Sequence, residues 1–180
     1  MPAVIRTYGV LWDNTLVDWT GKRGPGGFPF QLLGSTKQRE TTQTGCVDFT
    51  SQIGMSALYD EREQVIYIGQ SGSGRNRLGK RLRSHLSDEL MGRWRYFSWF
   101  GLGWVPKRSN KLSTTFKSYT IANLAQLLDP IEGMLINLVE PKLNLQRGNL
   151  SKHNVERYYQ FGQYAKWLNL KYDDGEESAS

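Results

Sequence analysis

The chain has 180 residues, room for one domain with an appended segment. Hydrophobic residues at 38% and charged residues at 22% exclude a disordered or fibrous chain, and no run approaches the ~18 consecutive apolar residues of a membrane span. The net charge of +6 is uneven: the tail from Lys171, with Asp173, Asp174, Glu176 and Glu177, carries −3 and leaves +9 on residues 1–170; such a basic body suits a polyanion, although a solvated basic surface accounts for the same charge.

The opening stretch MPAVIRTYGVLWDN has no apolar run suited to secretion, and the single cysteine, Cys46, has no partner for an internal disulfide. The expectation is a cytoplasmic protein without membrane contact. Residues 1–50 read as a β-rich extension and connector. Arg6–Trp12 and Leu16–Trp19 look like short strands, while GKRGPGGFPF is too rich in glycine and proline for regular structure. Ser35–Gly45 is polar and aperiodic, an exposed connector. Lys22, Arg23, Lys37 and Arg39 would let this region grip DNA.

Residues 51–170 form the main expected domain. Met55–Tyr59 and Val65–Gly69, separated by the polar Asp60–Gln64, predict a hairpin. Leu78, Leu82, Leu86 and Leu90 recur every fourth residue and predict a helix with one buried face. Arg95–Leu102 is aromatic and uninterrupted, a third strand, and 103–119 is polar loop. Its neighbours Trp94 and Trp99 fit a core, although aromatics alternating with Arg93 and Arg95 also suit stacking on bases.

Leu124, Leu128, Ile131, Leu135 and Leu138 share a helical stripe, broken at Pro130 and ended by Pro141. One kinked helix and two helices fit equally. Val155–Leu168 predicts a last amphipathic helix, and 171–180 an acidic disordered tail. The order is that of an α+β fold, a small antiparallel sheet flanked by helices.

Chemistry concentrates between Gly54 and Asn144. The hairpin reads GMSALYD…VIYIG, the next helix LGKRLRSHL, and EGMLINLVEPKLN places Glu132 twelve residues before Asn144 with Pro141 between. Together these motifs resemble the GIY-YIG nuclease family over roughly residues 53–146. The resemblance implies a GIY-YIG-like α/β sandwich and an endonuclease hydrolysing DNA phosphodiesters, double-stranded DNA first, with one Mg2+ or Mn2+ ion and no nucleotide cofactor. It further implies Tyr67 as proton acceptor, Arg81 as phosphate clamp, Glu132 as metal ligand and Asn144 as an orienting amide. Restriction-type members place a histidine where His85 stands, which leans the biological setting towards restriction or antiviral defence.

Residue chemistry fits these roles without deciding them. A planar, permanently charged guanidinium suits a phosphate oxygen, and Arg75, Arg77 and Arg83 compete with Arg81. His85 is one helical turn beyond Arg81, and a surface histidine would occupy that position equally well. Glu132, three residues after Asp129, could instead complete a capping box. Arg75, Arg77, Lys80, Arg83, Arg93, Lys142 and Arg147 are candidate DNA contacts. One departure stands out: Ser56 occupies the first motif's tyrosine position, and strand alternation sends Tyr59 to the opposite face.

Other motifs fall away. Gly74-x-x-x-x-Gly79-Lys80 nearly spells a phosphate loop, but Arg81 follows where a magnesium-holding Ser or Thr is needed. One Cys and two His at unrelated spacings do not make a zinc site. Two readings compete with the nuclease: a DNA-binding module that has lost catalysis, and a protein-interaction domain meeting an acidic partner.

Overall fold

A computed structural model describes residues 4–21, 30–72, 76–114, 134 and 155–166. The fold is mixed α+β. Five strands form the main sheet in the order β5-β4-β6-β1-β7: β1 Thr7–Asp13, β4 Gly54–Tyr59, β5 Val65–Ser71, β6 Tyr96–Gly101 and β7 Glu156–Arg157. Neighbours are antiparallel except β1 and β7, which run parallel. A smaller antiparallel sheet, β3-β2-β8, joins Val47–Asp48, Leu33–Ser35 and Tyr159–Gln160. Helix α1 spans Leu78–Ser84. Among the described residues no helix is long and apolar enough to cross a membrane.

The expected hairpin is present as β4 and β5. Its turn is closed by Asp60, whose N–H donates to the Gln64 carbonyl at 3.0 Å while its Oδ1 accepts from the Arg62 and Gln64 N–H groups. The expected third strand is β6. The leucine stripe also packs as expected: Leu78 and Leu82 are buried, with Leu86 and Leu90 against the same cluster. The helix itself is shorter than the stripe. After Ser84 the chain tightens into three-residue turns (His85 N–H to Leu82, Leu86 N–H to Arg83), and Asp88 Oδ1 accepts from the Leu90 N–H at 2.9 Å. Serine and aspartate offer the backbone local alternatives to the helical ladder, which ends it here.

Two expectations are corrected. Leu16–Trp19 is not a strand, because Asp13 Oδ1 accepts from the Thr15 N–H at 2.8 Å and starts a 3-10 turn over Asn14–Leu16. Residues 155–162 are not helical either; they supply β7 and β8, and among the described residues of this segment helix covers 163–166. Their backbone serves two sheets: the Tyr158 N–H donates to the Tyr8 carbonyl, and the Tyr158 carbonyl accepts from Trp12 Nε1 at 3.1 Å. A three-residue apolar spacing at Val155 and Tyr158 mimics a helix, but tertiary pairing overrides local preference.

β1 lies inside the main sheet, between β6 and β7. Trp12 is fully buried, edge-on to Trp99 at 5.4 Å and to Phe97 at 5.8 Å between centroids. A bulge makes this possible: Leu11 adopts φ 51° and its N–H turns to Ser98 Oγ at 3.0 Å. The sheet thus carries two apolar layers. Trp12, Leu58, Phe97 and Trp99 face α1, whereas Tyr8, Ala57, Tyr59 and Phe100 face the other way with Met134 and Val155. The helical stripe around Pro130, Pro141 and the tail 171–180 lie outside the described residues, Met134 apart.

Candidate functional site

The α1 face of the hairpin collects the chemically versatile side chains. Register pairs Leu58 with Tyr67 and Ser56 with Gly69, so all four share the face turned to α1. Tyr59 lies in the opposite layer, as alternation requires. The Tyr67 ring folds back across Gly69, where a Cβ would come within 2.6 Å of a ring carbon and 2.7 Å of the phenol oxygen. Glycine at this position is what lets the phenol lie flat on the strand. Ser56 is almost fully buried, in register with Trp99 on its other side.

α1 reaches this face because its first turn is bonded to the segment before β4. The Leu78 N–H donates to the Gln52 carbonyl and the Gly79 N–H to the Thr50 carbonyl, both at 2.9 Å. A Cβ on Gly79 would meet Thr50 at 3.0–3.1 Å, so glycine allows the close seat. The same bond commits the Gly79 N–H, which removes it from any phosphate loop. Arg81 and His85, four residues apart, then project to the same side.

There they meet Tyr67. Arg81 Nη2 donates to the Tyr67 hydroxyl, and its guanidinium carbon stands 5.6 Å from the ring centroid. The His85 imidazole packs edge-on to the same ring, 4.7 Å between centroids at 62°. His85 Nδ1 is 2.6 Å from Asp88 Oδ2, and its carbonyl accepts from Trp94 Nε1 at 3.1 Å. The Leu90 N–H bond, partly opposed by desolvation, holds the Asp88 carboxyl below its ordinary range, with His85 and Arg81 adding to the effect. The Asp88 carboxylate engages Nδ1 and so orients the ring, with Nε2 on its far side. Arg81 Nε and His85 Nε2 are both buried without a hydrogen-bond partner among the described residues. Both nitrogens lie beside the Tyr67 phenol, so unsatisfied hydrogen-bonding capacity gathers at this point.

The remaining expected residues fall in two groups. Lys80, Arg83 and Arg93 are exposed around α1 and the turn after it; Arg77 is half-buried and donates to the Asn76 carbonyl at 3.0 Å. Arg75, Glu132, Lys142, Asn144 and Arg147 lie outside the described residues. Sequence reasoning missed Asp88, although a carboxylate three residues after a histidine was a signal on the page. Among the described residues no group of three or more His, Cys, Asp or Glu stands close enough to hold a metal ion. Burial, then the charge of Glu40, pushes the Cys46 thiol up to about 11, so it stays protonated at neutral pH and is no nucleophile.

No protein-family model, curated protein or solved structure matches the chain.

Proposed function

We propose that this chain is a divalent-metal-dependent endonuclease of the GIY-YIG type, with DNA as its substrate. The observation that carries the proposal is the convergence of Tyr67, Arg81 and His85, from one strand and one helix, with two buried nitrogens left open beside the phenol. Hydrolysis needs a proton acceptor for the attacking water, positive charge on the phosphate and a donor for the leaving oxygen. The Arg81 guanidinium donates to the phenol oxygen, the atom that would accept the water's proton. Arg81 keeps further N–H groups, Nε among them, for a phosphate oxygen. As the water oxygen bonds to phosphorus, the bond to the ester oxygen breaks and that oxygen takes a proton. His85 Nε2, with the ring held by Asp88, is placed to move such a proton.

The resemblance to the GIY-YIG family assigns the cation's ligand to Glu132, outside the described residues, while Asp88 is engaged by His85 and the Leu90 N–H. One carboxylate suffices for a hard cation that keeps most of its waters. Bound there, Mg2+ or Mn2+ supplies charge neutralisation of the phosphate and a more acidic water. Restriction or defence is the setting that His85 favours.

Ser56 favours a second reading, a DNA-binding module without catalysis. A plasmid-nicking assay with Mg2+ or Mn2+ separates the two. The nuclease predicts nicking by wild type that EDTA, Glu132→Ala and Arg81→Ala each reduce at least a hundredfold. Salt-sensitive DNA binding with no nicking under any metal establishes the module instead. Absence of both binding and nicking overturns both and leaves an acidic protein partner as the reading to test.

A further inference from the structure

The sheet edge far from Tyr67 carries a second concavity. It has a volume of about 530 Å3 and opens between the bulge of β1, the connector after β2 and the β7–β8 corner, within the range of small-molecule sites. Val10 and Leu11 form its floor, on the layer of the sheet facing away from α1. Its walls hold two tyrosines, each with an arginine laid over the ring. Arg39 stands 4.6 Å from the Tyr164 centroid, and Arg157 stands 4.8 Å from that of Tyr159. A guanidinium held over a ring face keeps its N–H donors, which can bind an oxyanion in a bidentate manner.

Among the described residues lining the cleft there is no aspartate or glutamate. The carboxylates next in sequence to the two arginines are engaged locally: Glu40 accepts from the Thr41 and Thr42 N–H groups, and Glu156 from the Tyr158 hydroxyl at 3.0 Å. Neither Arg39 nor Arg157 forms an ion pair among the described residues.

The walls are also fixed in place. Gln160 Nε2 donates to the Asp13 carbonyl at 2.8 Å, which holds β8 and its Tyr159 against β1. Lys166 Nζ reaches Asp13 Oδ2 at 2.6 Å and Gln163 Nε2 the Leu11 carbonyl at 2.7 Å, which pin the turn carrying Tyr164. Leu11 itself holds φ 51°, a conformation non-glycine residues rarely adopt. Backbone of that kind collects at ligand sites because the surroundings must over-determine it.

We propose that this cleft binds a nucleotide unit, with the base against Tyr159 and Tyr164 and the phosphate between Arg39 and Arg157. A bare anion would use the guanidinium edges and leave the aromatic walls and apolar floor without a role. An acidic peptide offers the charge but no flat ring. Only a planar heterocycle joined to a phosphate engages floor, walls and rim together, and the exposed Gln38 amide is available to the base edge. β1 is three strands from β5, about 14 Å across the sheet, and the cleft lies on the other layer. The site is therefore separate from the Tyr67 cluster and does not rest on the nuclease reading.

Calorimetric titration of the full chain with the four nucleoside 5′-monophosphates, inorganic phosphate, a poly-glutamate peptide and a single-stranded tetranucleotide tests this. A mononucleotide is expected to bind at least tenfold more tightly than inorganic phosphate. The double substitution R39Q/R157Q, at two exposed positions, is expected to weaken it at least tenfold while the melting temperature stays unchanged. A tetranucleotide binding tenfold more tightly than any mononucleotide, with that gain lost in R39Q/R157Q, identifies a nucleic-acid strand as the source, and equal or weaker binding identifies a free nucleotide. The proposal is overturned if no nucleotide binds, if R39Q/R157Q binds like wild type, or if inorganic phosphate or a poly-glutamate peptide binds equally well.

Discussion

Gly69 is the residue on which the arrangement of Tyr67 turns. A methyl at this position would sit 2.6 Å from the ring and must push the phenol off the strand, away from Arg81. Gly69→Ala is therefore expected to cost about 1–3 kcal/mol of stability by overpacking and to reduce nicking in the same step. Urea denaturation beside the nicking assay checks it; unchanged stability with full activity would show that the ring does not need this seat. Gly69 was legible as part of a YIG tripeptide, but its physical purpose was not. The i,i+2 spacing says only that Tyr67 and Gly69 share a face, and not that one side chain lies over the other. The same limit applied to the choice among Arg75, Arg77, Arg81 and Arg83. Helical periodicity allowed several of them, and only the packing of α1 on Thr50 and Gln52 shows Arg81 reaching the phenol.

At the scale of elements, the 3-10 turn and the 155–166 segment meet at Asp13. Its nearly buried carboxylate receives Lys166 at 2.6 Å, Arg95 at 3.3 Å and Thr15. Burial by itself would raise its pKa, but the bonds from Lys166 and Thr15, with Arg95, outweigh burial and hold it below its ordinary value. A depressed carboxylate stabilises the fold fully above its unfolded pKa, and that share is lost as pH falls through the lower folded value. Stability should thus be level in this respect above about pH 4 and decline below it. Asp13→Asn is expected to cost about 1–2 kcal/mol at neutral pH and to flatten that acid decline. Urea midpoints between pH 2 and 6 measure both, and an unaltered acid slope in the variant would remove Asp13 from the account. Nothing local announces this junction, since its partners lie some 80 and 150 residues away in the chain.

For the molecule as a whole, β1 belongs to the interior of the main sheet. Trp12 sits in the layer that also contains Leu58, Leu78 and Trp99. Deleting residues 1–50 is therefore expected to abolish cooperative unfolding, and Trp12→Ala alone to cost about 3–5 kcal/mol. Thermal melting followed by circular dichroism decides this, and a truncated chain that still melts sharply would show that the later strands suffice.

Sequence by itself determined the pieces whose information is local. The β4–β5 hairpin follows from alternation about a polar turn, β6 from an uninterrupted aromatic run and the buried stripe of α1 from four leucines at helical spacing. It also placed Ser56 and Tyr59 on opposite faces, because the strand period is two. Tertiary structure alone decided which strands became neighbours. Thr7 pairs with Gly101 and Tyr8 with Arg157, and no local pattern specifies partners so distant. It decided as well that residues 155–160 are strand, since their hydrogen-bonding groups find β1 and β2 before they can find one another. The Tyr67–Arg81–His85–Asp88 cluster and the Arg–Tyr cleft both follow from those pairings. Side chains meet where the backbone brings them, and the backbone goes where long-range burial and hydrogen bonding are jointly satisfied.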